Sequence, residues 1–225
     1  MRKFIVCITG LVLFFSLSLG QDQEEKTFIE KSSKAILFDF SGLDNLGANE
    51  FNGGIGGKYY IKSNWAVRAG LQYMNISEDI PFQGTGGIDG ETQASQFGIS
   101  AALEIHMTKK RISPYYGAGL NLIFASTESK SAEADPTDQV IIKNDRNGEF
   151  GYDGGTELTI FGLVGVEVFV FKSLSLAAEY RLGFSHMSLK DEERTQGNTT
   201  VTFKQGSIQE LGITSSGVLT LAVYF

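Results

Sequence analysis

The sequence contains a single cysteine, Cys7, so the chain cannot form a disulfide framework of its own. Cys7 lies in an apolar run at 4–19 that follows Arg2 and Lys3 and precedes Gly20. This layout is typical of a secretory signal peptide, so we predict that residues 1–20 are removed after Gly20. A retained membrane-anchor helix is the alternative, but the run is short and acidic residues follow it directly. Removal leaves a chain without thiols, which suits an exported protein that uses no disulfides.

Long apolar runs and prolines are also scarce. Beyond the N-terminal run, the longest candidate for a spanning helix, 161–171, is shorter than about 18 residues and is interrupted by Glu167. The chain has 3 prolines against 27 glycines. These features argue against helical membrane spans and indicate glycine-rich strands.

Positive charge is the third deficit. The chain carries 19 Lys and Arg against 26 Asp and Glu, a formal net charge of −7. Without Arg2 and Lys3 the balance is 17 against 26, or −9. No basic patch offsets this excess, so we expect no nucleic-acid partner.

What the sequence does have is alternation, and it is clearest in residues 211–225. One parity there carries Leu219, Leu221, Val223 and Phe225, and the other carries mixed and small residues. This period of two predicts a strand with one apolar face. In a bilayer that face would contact lipid, and pairing with the first strand would remove both sheet edges.

The same alternation recurs in eight segments of about ten residues, the length that a tilted membrane strand needs. We predict strands at 35–43, 53–61, 65–75, 96–106, 114–125, 157–170, 174–187 and 211–225. Short links follow the second, fourth and sixth strands, and long loops at 76–95, 126–156 and 188–208 follow the third, fifth and seventh. Outer-membrane barrels show this asymmetry between periplasmic turns and extracellular loops. Within the loops, 140–142 could extend a hairpin and 199–203 could lengthen the last strand.

These features predict an all-β protein, an eight-stranded antiparallel up-and-down transmembrane β-barrel at 34–225, after a periplasmic tail at 21–33. A soluble lipocalin-like barrel is the alternative, and its charged parity would face outward. Aromatic residues near the strand ends favour the membrane barrel, where they form interface girdles. We therefore expect insertion in the outer membrane of a Gram-negative bacterium. The girdle candidates are Tyr59, Trp65, Tyr73, Tyr116, Phe171, Tyr180 and Phe225.

Three segments carry a resemblance to a known family: GGIGGKYYIKSNWAVRAGLQY, SPYYGAGLNL and LSLAAEYRLGF. With the signal peptide and the aromatic ending, they resemble the small outer-membrane β-barrel family of OmpA- and OmpX-like proteins. The resemblance covers essentially the whole mature chain and implies the barrel fold rather than an activity. It also implies that the outer-membrane assembly machinery reads the terminal strand, with Leu221, Val223 and Phe225 as the assembly signal.

Charged residues on the parity opposite the apolar one would face the barrel interior. Most of them fall in the periplasmic half when counted from the short links, with Arg68 and Glu104 at similar heights on adjacent strands. Because side chains just fill an eight-stranded barrel, we expect an ion-paired plug, with a narrow path for small solutes as the alternative. The interior set is Asp39, Lys58, Arg68, Glu104, Glu167, Glu179 and Arg181.

The sharpest enzymatic hint is the pair His186 and Ser188, which strand parity places on the outside near the extracellular rim. Lipid A deacylase barrels place a similar His-x-Ser pair there. A Ser–His pair needs a hydrogen bond between its members and a third group to orient the histidine. No acidic residue has a spacing that supplies this group, so we predict no enzyme and assign no catalytic residue. A lipid A-modifying hydrolase is the alternative.

We predict no cofactor and no metal site. The stretch from Asp145 to Glu149 resembles part of a calcium loop but lacks its spacing, and His106 has no metal partner at ligand spacing. The expected partners are outer-membrane lipids, lipopolysaccharide and the assembly machinery, and the sequence identifies no ligand of the loops. We expect a monomer with a structural or surface-interaction role through the long loops, the alternatives being a narrow porin or channel and the hydrolase.

Overall fold

The computed structural model describes residues 29–41, 53–145 and 153–225. The predicted signal peptide and the first part of the predicted tail, 21–28, lie outside these residues. No helix in the described ranges is long and apolar enough to cross a membrane. The strands are β1 (Lys34–Ser41), β2 (Gly53–Lys62), β3 (Trp65–Ile80), β4 (Gly90–His106), β5 (Ile112–Lys130), β6 (Val140–Lys143), β7 (Gly155–Phe171), β8 (Leu174–Leu189), β9 (Glu192–Gln196), β10 (Thr199–Phe203) and β11 (Ser207–Tyr224).

Eight of these strands close a ring in the order β1-β2-β3-β4-β5-β7-β8-β11. Every neighbouring pair in the ring is antiparallel. The ring closes between the first and last strands, where Ala35 lies opposite Tyr224 and Phe38 lies opposite Leu221. This confirms the predicted closure, which gives the backbone groups of both edge strands a partner.

Side-chain alternation separates an apolar exterior from a charged interior. On the outer parity Leu71, Leu120 and Leu182 are exposed, whereas on the inner parity of β4 and β7 the glutamates Glu104 and Glu167 are fully buried. This is the polarity of a membrane barrel rather than of a soluble one. The girdle aromatics Tyr59, Tyr73, Tyr116, Phe171, Tyr180 and Phe225 are exposed on the outside. Trp65 is half-buried, with the Lys62 ammonium 4.6 Å from its ring centre.

The predicted asymmetry of the connections is present, but the strands run further than predicted. The short links at 63–64, 107–111 and 172–173 lie at one end of the ring. At the other end β3 and β4 stay paired as far as Ile80 and Gly90, so the predicted loop at 76–95 shrinks to 81–89. The prediction failed because most residues on both faces of these strand tips are polar. Hydrophobic alternation stops there while the backbone ladder continues.

Beyond the ring, β6, β9 and β10 extend the sheet from β5. Segment 140–142 extends the hairpin as predicted, with Ile141 opposite Lys130. The prediction for 199–203 is wrong, because this segment is β10 and pairs with β9 instead of lengthening β11. Gly197 lies in the turn between them with a φ of +53°, a backbone conformation that favours glycine. The chain therefore reverses before the last strand begins.

Candidate functional site

Charged residues of the inner parity converge in the half of the ring nearest the short links. Lys58 lies on β2, Arg68 on β3, Glu104 on β4, Glu167 on β7 and Glu179 on β8. All of them are buried. A charge in such a setting is stable only beside a partner of opposite sign.

These five residues, the ion-pair cluster, form one continuous chain of contacts. Lys58 Nζ lies 2.8 Å from Glu104 Oε2 and 3.1 Å from Glu167 Oε2. Arg68 Nη1 lies 2.9 Å from Glu104 Oε1, the pair that the sequence predicts, and Arg68 Nη2 lies 3.0 Å from Glu179 Oε1. Among the described residues no donor is aligned for a hydrogen bond to either oxygen of Glu104. Charge therefore holds Glu104 between its two cations.

Two of these ion pairs cross the full width of the ring. Strands β2 and β7 stand four places apart in the ring of eight, and so do β3 and β8. The contacts Lys58–Glu167 and Arg68–Glu179 therefore join opposite walls. An eight-stranded barrel leaves an interior that side chains just fill, so these contacts cross the space that a solute would need.

Hydroxyl groups complete the coordination of the carboxylates. Tyr224 Oη donates to Glu167 Oε1 at 2.7 Å, and Ser175 Oγ donates to the same oxygen. Tyr115 Oη donates to Glu179 Oε2 at 3.1 Å. Lone pairs that the cations leave open are thus satisfied, which a buried ion pair requires if it is not to be strongly destabilising.

His106 belongs to this polar shell. Its Nε2 lies 3.1 Å from Tyr60 Oη, and its Nδ1 lies 2.9 Å from Ser113 Oγ. Its Nε2 also lies 3.5 Å from Glu104 Oε2, but in the part of the chain that the structure describes no group of three or more His, Cys, Asp or Glu side chains is arranged to hold a metal ion. Sequence reasoning missed the tyrosine, serine and histidine contacts. Their inner parity beside the short links was the available signal.

An apolar cluster seals the short-link end below these charges. Ile29, Leu37, Tyr60 and Phe169 are fully buried there. Ile29 belongs to the predicted periplasmic tail at 21–33, and the backbone N–H of Ser32 donates to the Tyr60 carbonyl at 2.8 Å. The last residues of the predicted tail therefore pack into the mouth of the ring.

Arg181 and Asp39 line a cavity of about 50 Å³ together with Arg68. Arg181 Nε lies 2.5 Å from Glu179 Oε1, so this arginine contacts the cluster. Asp39 does not: it accepts a hydrogen bond from Thr220 Oγ1 at 2.6 Å, and no ion pair to it occurs within the described ranges. The residues opposite Asp39 on the adjacent strands are Thr220 and Gly54, and neither carries a charge.

The remaining predicted sites lie on the outer face. His186 and Ser188 lie near the end of β8 that is far from the short links, opposite Gln209 and Ser207 of β11. No hydrogen bond of either side chain is present in the described part of the chain, so a nucleophile–base contact is not assembled there. The predicted assembly residues Leu221, Val223 and Phe225 lie at the short-link end, with Phe225 75% exposed.

Comparison with solved structures finds other outer-membrane proteins. Outer membrane protein OprG from Pseudomonas aeruginosa is 11% identical with a TM-score of 0.45, and the match covers 89% of this chain and 99% of that one. A major outer membrane protein from Thermus thermophilus is 14% identical with a TM-score of 0.47, covering 86% and 99%. CarO from Acinetobacter baumannii is 11% identical with a TM-score of 0.34, covering 89% and 100%.

No curated protein matches the sequence. The family described as outer membrane protein beta-barrel domain matches residues 10–209, most of the chain. Its match agrees with the closed ring, the apolar exterior and the charged interior. The chain belongs to the outer membrane protein beta-barrel domain family and is a protein of the outer membrane.

Proposed function

We propose that this protein is a closed barrel with a structural and surface-interaction role, carried by its extracellular part rather than by transport through the lumen. The observation that carries the proposal is the pair of contacts across the ring, Lys58–Glu167 and Arg68–Glu179. A solute path would have to separate these buried charges. Leaving one of them without its partner costs about 3–5 kcal/mol.

The extracellular part offers an unprotected sheet edge. Strand β10 is the last strand of the sheet beyond the ring, and all five of its residues, Thr199–Phe203, are exposed. The strand contains no charged residue and no proline, the features by which edge strands usually avoid pairing. An extended polypeptide could add to such an edge through backbone hydrogen bonds. The surface interaction that we propose uses this edge.

A narrow channel is the second candidate, and the cavity beside Asp39, Arg68 and Arg181 is the observation that favours it. The oxygen Oδ1 of Asn121, on the cavity wall, is buried without a hydrogen-bond partner among the described residues, which suits a wet interior. A channel would have to continue past the ion-pair cluster. Conductance therefore distinguishes the two candidates.

Single-channel recording in planar bilayers tests the closed lumen. We expect no conductance steps from the purified wild-type protein. The matched variant replaces Lys58, Arg68, Glu104 and Glu167 with alanine, which removes two cations and two carboxylates and leaves Arg181 beside Glu179. This variant should show steps. Steps of equal size in both proteins would instead establish the channel and refute the closed barrel.

Cysteine labelling tests the proposed edge. The natural chain has only Cys7, within the predicted signal peptide, so an introduced thiol reacts alone after removal of that segment. We expect Val201→Cys to react with a membrane-impermeant maleimide more slowly on intact cells than in the purified protein, because a partner covers β10 on cells. Asp138→Cys, on an exposed connection, is the control and should react equally in both. Equal rates for Val201→Cys would contradict the interaction.

A further inference from the structure

The outer face of β4 and β5 changes from apolar to polar within one row of residues. Phe97 and Phe124 lie opposite each other and are exposed, and they end the apolar belt. In the next row, Ser95 and Ser126 join their hydroxyl oxygens at 2.9 Å. Strands rise about 3.3 Å per residue and tilt by about 40°, so this row lies roughly 5 Å above the phenylalanines. That height is the headgroup layer of the membrane.

Directly above this row the sheet has a notch, because β5 changes partner. It pairs with β7 as far as Ala125 and with β6 from Glu128 onward, which leaves Ser126 and Thr127 between the two ladders. A cavity of about 320 Å³ opens there. Every residue that lines it is polar or charged, including Lys143 and Lys190. Since Ser95 and Ser126 also line it, the notch lies on the outer face and adjoins the apolar belt.

Three hydrogen-bond donors at the notch, on Lys143, Lys190 and Thr127, have weak partners or none among the described residues. Lys143 Nζ lies 4.0 Å from Glu128 Oε2, at the limit of an ion pair. Lys190 Nζ donates to the carbonyl oxygen of Ala125 at 3.3 Å and has no carboxylate partner in the described ranges. The hydroxyl oxygen of Thr127 is buried without a hydrogen-bond partner among the described residues. Two ammonium groups and a hydroxyl are a donor set for an oxyanion.

We propose that this notch binds the phosphate-bearing saccharide headgroup of a lipid in the outer leaflet. The ammonium groups of Lys143 and Lys190 would hold the phosphate, while the serine hydroxyls and Gln93 would bond to the sugar. The volume equals that of about ten water molecules, enough for a phosphate and a sugar ring. A lipid fits better than a free ion because the apolar belt begins one row below and accommodates its acyl chains. The proposal goes beyond the proposed function and does not depend on whether the lumen conducts.

The test measures the thermal unfolding midpoint of the purified barrel in detergent while a probe is titrated. The probes are bisphosphorylated lipid A, dephosphorylated lipid A and inorganic phosphate. A ligand that binds only the folded state stabilises it by RT ln(1 + [L]/Kd), so this midpoint rises with the logarithm of the ligand concentration once that concentration exceeds Kd. Of the three probes, we expect only bisphosphorylated lipid A to raise the unfolding midpoint. The variant Lys143→Gln/Lys190→Gln removes both cations of the notch, so its affinity for bisphosphorylated lipid A should fall by at least about tenfold.

The matched control is Lys109→Gln/Lys172→Gln, which removes the same charge from exposed sites in the short links. It should bind like wild type. Ser126→Trp fills the notch without a change in charge and should also abolish binding, which decides the matter if the lysine variant fails to fold. Equal binding of dephosphorylated lipid A, or full affinity in either notch variant, would refute the phosphate site. Equally tight binding of inorganic phosphate would refute the lipid assignment.

Discussion

Arg68 on β3 reaches across the whole lumen to Glu179 on β8, with 3.0 Å between Nη2 and Oε1. Because these strands stand on opposite sides of the ring, the contact is a brace between walls that share no backbone ladder. A carboxylate oxygen of Glu104, on the neighbouring strand, lies 2.9 Å from the other terminal nitrogen. One guanidinium therefore connects three of the eight strands that form the ring.

Replacing Arg68 with methionine should destabilise the barrel strongly. The change keeps the bulk of the side chain but leaves Glu104 and Glu179 with one cation fewer, and breaking a buried pair in this way costs about 3–5 kcal/mol. Reversible urea unfolding in lipid vesicles measures the loss. Lys109→Met, at an exposed link, should change the stability by no more than about 0.5 kcal/mol. Equal stabilities of the two variants would show that the Arg68 contacts contribute nothing net.

The contact between Arg68 and Glu104 could be predicted from the sequence, whereas the one with Glu179 could not. Strand parity and the distance from a short link place Arg68 and Glu104 at similar heights on adjacent strands, so their contact follows from local geometry. Glu179 is 111 residues from Arg68. Its approach depends on how the closed ring brings opposite walls together, which the alternation of a single strand does not encode.

The strand tips at the end of the ring far from the short links were not predicted, for a different reason. Hydrophobic alternation marks a strand only where one face meets lipid or a core, and the tips of β3 and β4 are mostly polar on both faces. Ser77 opposite Gln93 is a ladder position without an apolar residue. Sequence reasoning accordingly predicted a loop at 76–95, and for the same reason it predicted no separate hairpin of β9 and β10.

The tips of β3, β4 and β5 should loosen in acid, and Glu91 should be the cause. Ser77 Oγ donates to Glu91 at 3.0 Å and Lys130 Nζ donates at 3.2 Å, and these contacts hold the pKa of Glu91 below its ordinary value of 4.5. A depressed pKa contributes stability above the unfolded-state pKa and loses it as the pH falls through the folded-state pKa. Protection of these tips against amide hydrogen exchange should therefore decline below pH 4.5.

Glu91→Gln is the matched control, because it keeps the shape of the side chain and removes the titration. In this variant the tips of β3, β4 and β5 should be less protected against amide hydrogen exchange than in the wild type at neutral pH. Their protection should also not decline in acid. A wild-type decline that persists in Glu91→Gln would assign the effect to another group.

Ser188→Ala should leave the lipids of the outer membrane unchanged. Ser188 is exposed on the outer face, and in the described part of the chain it makes no hydrogen bond to His186 that could activate it. The measurement is the acyl pattern of lipid A from cells that express wild-type or variant protein, analysed by mass spectrometry. A pattern that differs between the two would establish the hydrolase and contradict the prediction that this protein is not an enzyme.

Replacing Gly165 should destabilise the barrel, because the side chain of Tyr115 passes directly over this glycine. It lies on β7 between Tyr115 of β5 and Glu179 of β8, and the tyrosine passes over it to reach the carboxylate. A Cβ at Gly165 would lie 2.5 Å from Tyr115 Cζ and 2.8 Å from the carbonyl oxygen of Ala178. Gly165→Ala should therefore displace Tyr115 and break its bond to Glu179, at a cost of about 1–3 kcal/mol.

Gly162→Ala is the control on the same strand. A Cβ there would point outward, with its nearest contact, the Gly117 carbonyl oxygen, 3.9 Å away, so the change should leave stability unaltered or slightly higher. Urea unfolding gives the two free energies, and near-ultraviolet circular dichroism reports whether a tyrosine has left its fixed environment. If both variants lose the same stability and keep the same tyrosine signal, then Tyr115 is not fixed over Gly165. In that case only the arginines stabilise the Glu179 carboxylate.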